Sequence, residues 1–228
     1  MRFLVIGYGK DNLDFGVSGD AAVRSHKLRD EWIAQGKIIE HAHIAGFRAH
    51  MWIYDVESVD ELDRVVSGDP MAGFSKGDPL ILPLTSYERM EERERDLIGT
   101  PSDQQAKQAD MVNKQPRTKP GESRYLVIAY GSDTLDISKL GDAPARANRY
   151  REELIRQGKI SMHAHIAGQR GHVWIYHVTS VDELDRVIST DPMAFASQGD
   201  PMILPLCSYE RMHEREEQFF SHITGKHE

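Results

Sequence analysis

Six histidines stand in two copies of one pattern: His41-Ala-His43 followed by His50-Met-Trp52, and His163-Ala-His165 followed by His172-Val-Trp174. Alternate residues of a strand share a face, so His41 and His43 project together, as do His50, Trp52 and Tyr54 on an adjoining strand. The same holds for His163 with His165, and for His172, Trp174 and Tyr176. Tyr8 and Tyr130, on the preceding strands, join them if that face lines a barrel. Imidazole titrates near neutral pH, so His41, His43, His50, His163, His165 and His172 are candidate acid/base groups. Trp52, Trp174, Tyr8 and Tyr130 then become candidate walls of a barrel-centre pocket for a small-molecule substrate. The plainer alternative is histidines at hairpin ends, hydrogen-bonded to backbone. His-x-His on a strand also offers two imidazoles to one ion, with His50 as a third, so a divalent transition metal is the sharper version of the same reading. No carboxylate shares that face, because Glu40 points the other way, and the base expectation is a site without cofactor.

Arg48 and Arg170 fall at tight connections, where a guanidinium can grip a carboxylate or enolate through two hydrogen bonds, which makes them candidate substrate contacts. Asp11, Asp14, Asp133 and Asp136 read as turn formers. Cys207 replaces Thr85 of the first copy and reads as a small buried residue. Gly7-Tyr8-Gly9 lacks the further glycine and helix context of a dinucleotide site.

Positioning these groups falls to a chain that is written twice. Arg2–Leu97 aligns without a gap on Arg124–Phe219 at a constant offset of 122 residues, as His41 to His163 and Pro70 to Pro192 illustrate. Roughly two-thirds of the aligned positions are identical, so the chemistry should occur at paired, nearly equivalent places. In the first copy, Phe3 to Tyr8 reads as a strand and Ala21 to Gln35 as a helix. Asp20 is its expected cap, Val23, Leu28, Trp32 and Ile33 its buried face, and Gly36 its stop. Asp142 and Pro144 occupy the corresponding cap and first turn in the second copy. Lys37 to Ala45 and Ala49 to Val56 read as a hairpin joined through Gly46-Phe47-Arg48. Ser58-Val-Asp-Glu61 has capping-box spacing and opens a short helix whose Val59, Leu62, Val65 and Val66 should face the core. Asp78 to Leu84 reads as a last strand at a sheet edge.

Strand, helix, strand, strand, helix, strand is the split βαβ, ferredoxin-like order. The predicted fold is α+β, with residues 1–98 as one such unit, 99–123 as a polar linker and 124–228 as a second unit ending in a helix. The linker leaves the halves free to pair within one molecule, with room for a higher homo-oligomer. The charged runs from Tyr87 and from Tyr209 read as terminal arms that brace the partner half. The balance is mildly acidic, with net charge −8 and a pI near 5.8, which gives no basic footprint for nucleic acid. One cysteine fits a reducing, cytoplasmic setting. The apolar start, Met1 to Gly7, is too short for a signal peptide or a membrane span.

Ala45-Gly46-Phe47-Arg48, then Asp55-Val-Glu-Ser58-Val-Asp-Glu-Leu62, then Asp78-Pro-Leu-Ile-Leu-Pro-Leu84 resembles the muconolactone isomerase family. The pattern returns as Ala167-Gly-Gln-Arg170, His177-Val-Thr-Ser180-Val-Asp-Glu-Leu184 and Asp200-Pro-Met-Ile-Leu-Pro-Leu206. The resemblance implies a dimeric α+β barrel, here closed within one chain, and an enzyme that isomerises lactones or handles polyketide-like intermediates without a cofactor. The fusion and the extra histidines depart from the family's pattern.

The leading expectation is therefore an isomerase or cyclase for a small unsaturated lactone, enol or polyketide-like acid, with an imidazole moving a proton α to a carbonyl. A monooxygenase of the same barrel type, cofactor-free or with a histidine-bound metal, is the second. A non-catalytic module that binds a small ligand is the third. Phe47/Gln169, Asp55/His177, Gly73/Phe195 and Phe74/Ala196 are the differences expected to separate two pockets.

Overall fold

The computed structural model describes residues 1–12, 15–85, 89, 92 and 121–224. The stretch read as a linker, the first charged arm and Asp14 lie largely or wholly outside these residues. In chain order the elements are β1 (Arg2–Tyr8), α1 (Phe15–Ala34), β2 (Ile38–Ile44), β3 (Ala49–Asp55), α2 (Val59–Ser67) and β4 (Leu80–Leu84). There follow β5 (Ser123–Tyr130), α3 (Ala143–Arg156), β6 (Ile160–Ile166), β7 (Gly171–Val178), α4 (Val181–Thr190), β8 (Met202–Leu206) and α5 (Tyr209–Thr224). The strands follow the order β1-β3-β2-β8-β5-β7-β6-β4 of a closed eight-stranded barrel. Two compact units make up the chain: one gathers Met1–Pro83 with Cys207–Glu228, the other spans Leu84–Leu206. The C-terminal helix α5 thus belongs to the first unit.

In the first unit β3 lies antiparallel between β1 and β2, pairing Val5 with Trp52 and His41 with Trp52, His43 with His50. A register shift between Ile38 and Glu40 breaks the strict alternation of β2. That extra residue lets Ile38 and His41 face the same side although they are three positions apart. Phe3, Val5, Trp32, Ile38, Tyr54, Val56, Leu62 and Val65 form the helix-side core, with Leu28, Trp52 and Val66 packed on it. Leu4, Ile6, Ala42, Ile44, Met51 and Ile53 make the opposite, fully buried face. Leu126, Ile128, Ile166, Val173 and Ile175 repeat that face in the second unit. Gly46 and Gly168 turn the two hairpins with φ of 81° and 77°, a backbone region that a Cβ disfavours.

Helix α1 begins earlier than its sequence suggests, at Phe15. Asp20 is therefore not a cap: it lies inside the helix and pairs with Arg24 at 3.0 Å. The buried stripe is Ser18, Ala21, Ala22, Ser25 and Trp32, small residues that let the helix lie close to the sheet, whereas Val23 and Ile33 are exposed. In the second unit the equivalent of the first turns is a short 3-10 turn, Ile137–Lys139. Helix α3 then starts at Ala143 with Pro144 in its first turn, and Asp142 makes no side-chain cap bond. It pairs instead with Arg146 at 3.2 Å.

Ser58 and Ser180 do cap their helices, accepting from Glu61 N–H and Glu183 N–H, each at 3.1 Å. The glutamates close back one residue earlier than in a capping box, accepting from Glu57 N–H and Thr179 N–H. Val59 lies outside the core at 57% exposure. Replacing Ser58 or Ser180 by alanine is expected to lower stability by about 1 kcal/mol each, read as a fall in the urea midpoint at unchanged slope.

Candidate functional site

Parity fixes where the histidines go. Trp52 packs on the helix-side core, and His41 and His50 stack against its indole at 5.6 and 5.3 Å between ring centroids. The rings of His41, His43, His50 and Trp52 therefore lie between sheet and helices. This corrects the expected barrel-centre pocket, which would require them on the face of Leu4 and Met51. The second unit repeats the arrangement, with His163 and His172 stacked on Trp174 at 5.5 and 5.1 Å.

Within each triad the nitrogens converge. His41 Nε2 lies 3.1 Å from His50 Nδ1, and His163 Nε2 lies 3.1 Å from His172 Nδ1. His43 sits against His50 with centroids 3.9 Å apart, and His165 against His172 at 4.2 Å. One nitrogen from each ring lies within 4.8 Å of the other two, in both triads. Two nitrogens bound to one tetrahedral ion at 2.0–2.1 Å are about 3.3 Å apart, so the 3.1 Å pairs already have the span that two ligands of one ion require. No ion is needed to hold the rings apart, because each pair also satisfies itself as a hydrogen bond between neutral imidazoles.

Charge is scarce here on the sheet side and supplied by the helices. Arg29 of α1 places Nη1 3.4 Å from His41 Nε2. Burial, reinforced by Arg29 and His43, holds His41 well below the ordinary imidazole range. Burial, with His43 and His41 beside it, does the same to His50, and burial with Arg151 and His165 to His163. Helix α5 brings Glu216, whose Oε2 lies 3.1 Å from His26 Nε2 and whose Oε1 lies 3.9 Å from His43 Nε2. Burial would raise that carboxyl, but the imidazoles of His43 and His26 and the charge of Arg29 bring it down to about 2. In the second unit Arg151 lies over the Trp174 ring at 5.7 Å and grips Asp191 through two bonds of 2.7 and 3.1 Å.

Several expected participants are elsewhere. Tyr8 pairs with Ala49, one residue out of phase with His50 and Gly7, and so shares the face of Leu4 and Ile6. Tyr130 pairs with Gly171 and is out of phase with His172 in the same way. Arg48 donates to Asp11 O at 2.8 Å and Arg170 to Ser132 O at 3.3 Å, which ties each hairpin turn to the loop after the first strand rather than to a triad. Phe47 and Phe195 are exposed at 54% and 67%. Asp55 pairs with Arg2 at 3.1 Å, and His177 lies 2.8 Å from Ser161 Oγ, both away from the triads. Cys207 is half-buried rather than buried. Its N–H donates to His43 O at 2.9 Å, as Thr85 N–H does to His165 O at 2.8 Å, so in each unit the segment after a last strand is anchored at a triad histidine.

The sequence reading passed over Glu216, His26 and Arg29. Arg29 recurs as Arg151, a visible signal; His26 has Asn148 as its counterpart and Glu216 lies far along the chain from His43.

No protein-family model matches the chain, and no curated protein matches it in sequence. Solved structures do resemble it. A mutant chlorite dismutase from Candidatus Nitrospira defluvii superposes with a TM-score of 0.59 at 10% identity, covering 94% of each chain. The same enzyme in complex with imidazole gives 0.57 at 9% identity, again over 94% of each chain. A monooxygenase candidate from Lactobacillus acidophilus NCFM gives 0.50 at 7% identity, over 90% of this chain and 92% of its own. At these identities the likeness is one of fold alone, a mixed α/β chain built on an eight-stranded antiparallel barrel.

Proposed function

We propose that the protein is a metal-dependent oxygenase of the α+β barrel type, with a divalent transition metal held at each histidine triad and a small enol, unsaturated lactone or polyketide-like acid as substrate. The observation that carries this reading is the convergence of three imidazole nitrogens within 4.8 Å, twice. Neutral imidazole is the form that binds a metal, and burial keeps His41, His50 and His163 neutral. Orphaned polar atoms support a bound group: His43 Nε2, Trp52 Nε1 and Trp174 Nε1 are buried and have no hydrogen-bond partner among the described residues. The resemblance in fold to a monooxygenase candidate and to chlorite dismutase is compatible with oxygen chemistry.

The isomerase expectation fares less well on physical grounds. A general base works best with a pKa near the working pH, and imidazoles pushed well below the ordinary range are weak bases for a proton α to a carbonyl. Oxygenation asks less of them. A methylene activated by a neighbouring carbonyl becomes a new carbonyl, one oxygen atom of dioxygen enters the product, the other leaves as water, and the substrate supplies all the electrons.

The test is elemental analysis of untagged protein purified without chelator, together with oxygen uptake on a panel of enols and unsaturated lactones. The expected result is up to two metal ions per chain and turnover that stops under anaerobic conditions or with chelator. Metal-free protein that turns over a lactone without oxygen would return the acid/base isomerase to the front. Tight ligand binding without turnover under any condition would instead favour a carrier.

A further inference from the structure

We infer that Glu216 is the fourth protein ligand of the first-unit metal centre and that His26 orients it; this inference rests on the metal reading of the triads. Glu216 is the one carboxylate among the described residues that reaches a triad nitrogen, with Oε1 3.9 Å from His43 Nε2. That separation is too long for a hydrogen bond, and His43 Nε2 is one of the buried atoms without such a partner among the described residues. Ligand atoms of one tetrahedral ion at 2.0–2.1 Å lie about 3.3 Å apart, so closing the 3.9 Å gap between Oε1 and Nε2 by about 0.6 Å brings the two atoms to ligand spacing. An ion seated between them would bond both atoms.

The other carboxylate oxygen is already held. His26 Nε2 lies 3.1 Å from Glu216 Oε2, and His26 Nδ1 lies 3.2 Å from Asp30 Oδ2. The His26 and Phe220 rings meet in a T-shaped contact, centroids 4.8 Å apart at an interplanar angle of 82°, which fixes the tilt of the imidazole. A ligating carboxylate steadied through its second oxygen is the arrangement by which outer groups set ligand orientation. Backbone anchoring completes it, since Cys207 N–H is bonded to His43 O at 2.9 Å and Ser208 Oγ accepts from Arg211 N–H at 3.1 Å, starting α5 in register with β2.

Three neutral imidazoles leave the charge of a divalent ion wholly uncompensated, and one carboxylate halves it. The first centre therefore binds a hard divalent ion more tightly than a purely imidazole set would. In the second unit Asn148 stands where His26 does, and an amide carries no charge to set against a carboxylate in that position. Glu94, the sequence counterpart of Glu216, lies outside the described residues.

Cobalt(II) titration of the chelator-stripped, full-length chain tests this, read by calorimetry and by visible absorption. In a His165→Ala background, which leaves the first centre alone, Glu216→Gln is expected to weaken cobalt binding at least about tenfold and to change the absorption band. His26→Asn, which imports the second-unit residue, should weaken it less and leave the band nearer its original shape. In the mirror background, His43→Ala, neither substitution should alter the remaining centre. Full affinity and an unchanged band for both variants would overturn the role of Glu216 while leaving the triads as metal sites. Absence of cobalt binding in both backgrounds would overturn the metal reading itself. Should Glu216→Gln melt early by circular dichroism, the His26→Asn comparison decides alone.

Discussion

Alanine at both His43 and His165 in one chain is expected to strip metal from the two triads and to lower oxygen-dependent turnover by at least about a hundredfold. These positions are the informative ones because His41 with His50, and His163 with His172, hold each other at 3.1 Å. Removing a member of a pair leaves its partner's buried nitrogen unsatisfied, and folding suffers along with chemistry. His43 and His165 stand outside those pairs and are only part-buried. Their loss should therefore cost little stability, and unchanged melting of the stripped protein is the control. Each single variant should retain about half the metal, and which one also loses the turnover will identify the working centre. Full metal content in the double variant would exclude the triads as the site. Lost turnover with turnover of the wild type insensitive to chelator would mean that the imidazoles act as acids and bases without an ion.

Legibility in the sequence followed the range of the interactions. Strand parity is local, so the sharing of a face by His41, His43, His50 and Trp52 could be read directly, and the pairing of His43 with His50 bears it out. The close approach of His41, His43 and His50 could be read for the same reason. Which face they occupy was not, because the register shift between Ile38 and Glu40 interrupts the alternation that would link the histidines to the rest of β2. Helix α1 misled in a different way. Among its described residues the buried stripe is built from serine and alanine with Trp32, and Leu28 packs on the core beside it, so Val23 and Ile33 looked like core by residue type while their phase around the helix turns them to solvent. Glu216 was hidden by distance along the chain. The charged arm reads as a solvated helix, and the Glu216 carboxylate meets His26 and His43 only once α5 has packed on α1 and β2.

The differences between the halves carry a similar lesson. Substitutions at Phe47, Asp55, Gly73 and Phe74 change residue type most conspicuously, yet they fall on exposed turns or away from the triads. The exchange of His26 for Asn148 is milder in size and lies beside the site. Both units keep the arginine of the helix over the histidine–tryptophan stack, Arg29 near His41 and Arg151 over Trp174. A guanidinium there discourages protonation of the buried imidazoles in both units.

Stripped of metal, the protein should lose stability steeply as pH falls from 6.5 towards 5. His41, His50 and His163 have folded-state pKa values well below the 6.5 of free imidazole, burial being the main cause in each case. Arg29, His43, His26 and Arg215 face the first-unit pair and push in the same direction, against Glu216; Arg151 and His165 face His163. The unfolded chain takes up protons at these three positions as pH drops through 6.5, and the folded chain does not. Stability contributed by them is thus complete above pH 6.5 and is lost as pH falls towards the folded values. Each group contributes up to about 1.4 kcal/mol per pH unit, so three approach about 4 kcal/mol per unit, a large share of the stability of a typical domain. Glu216, brought down from 4.5 to about 2, acts in a lower window, its contribution present above pH 4.5 and lost between 4.5 and 2. Urea midpoints between pH 7.5 and 5 in chelator should therefore fall well before any carboxylate titrates. Glutamine at His41 and His163, which cannot take a proton, should remove about two-thirds of that slope. A flat profile in the wild type would mean that the folded imidazoles accept protons as freely as the unfolded ones, and the neutral, metal-ready triad would have to be abandoned.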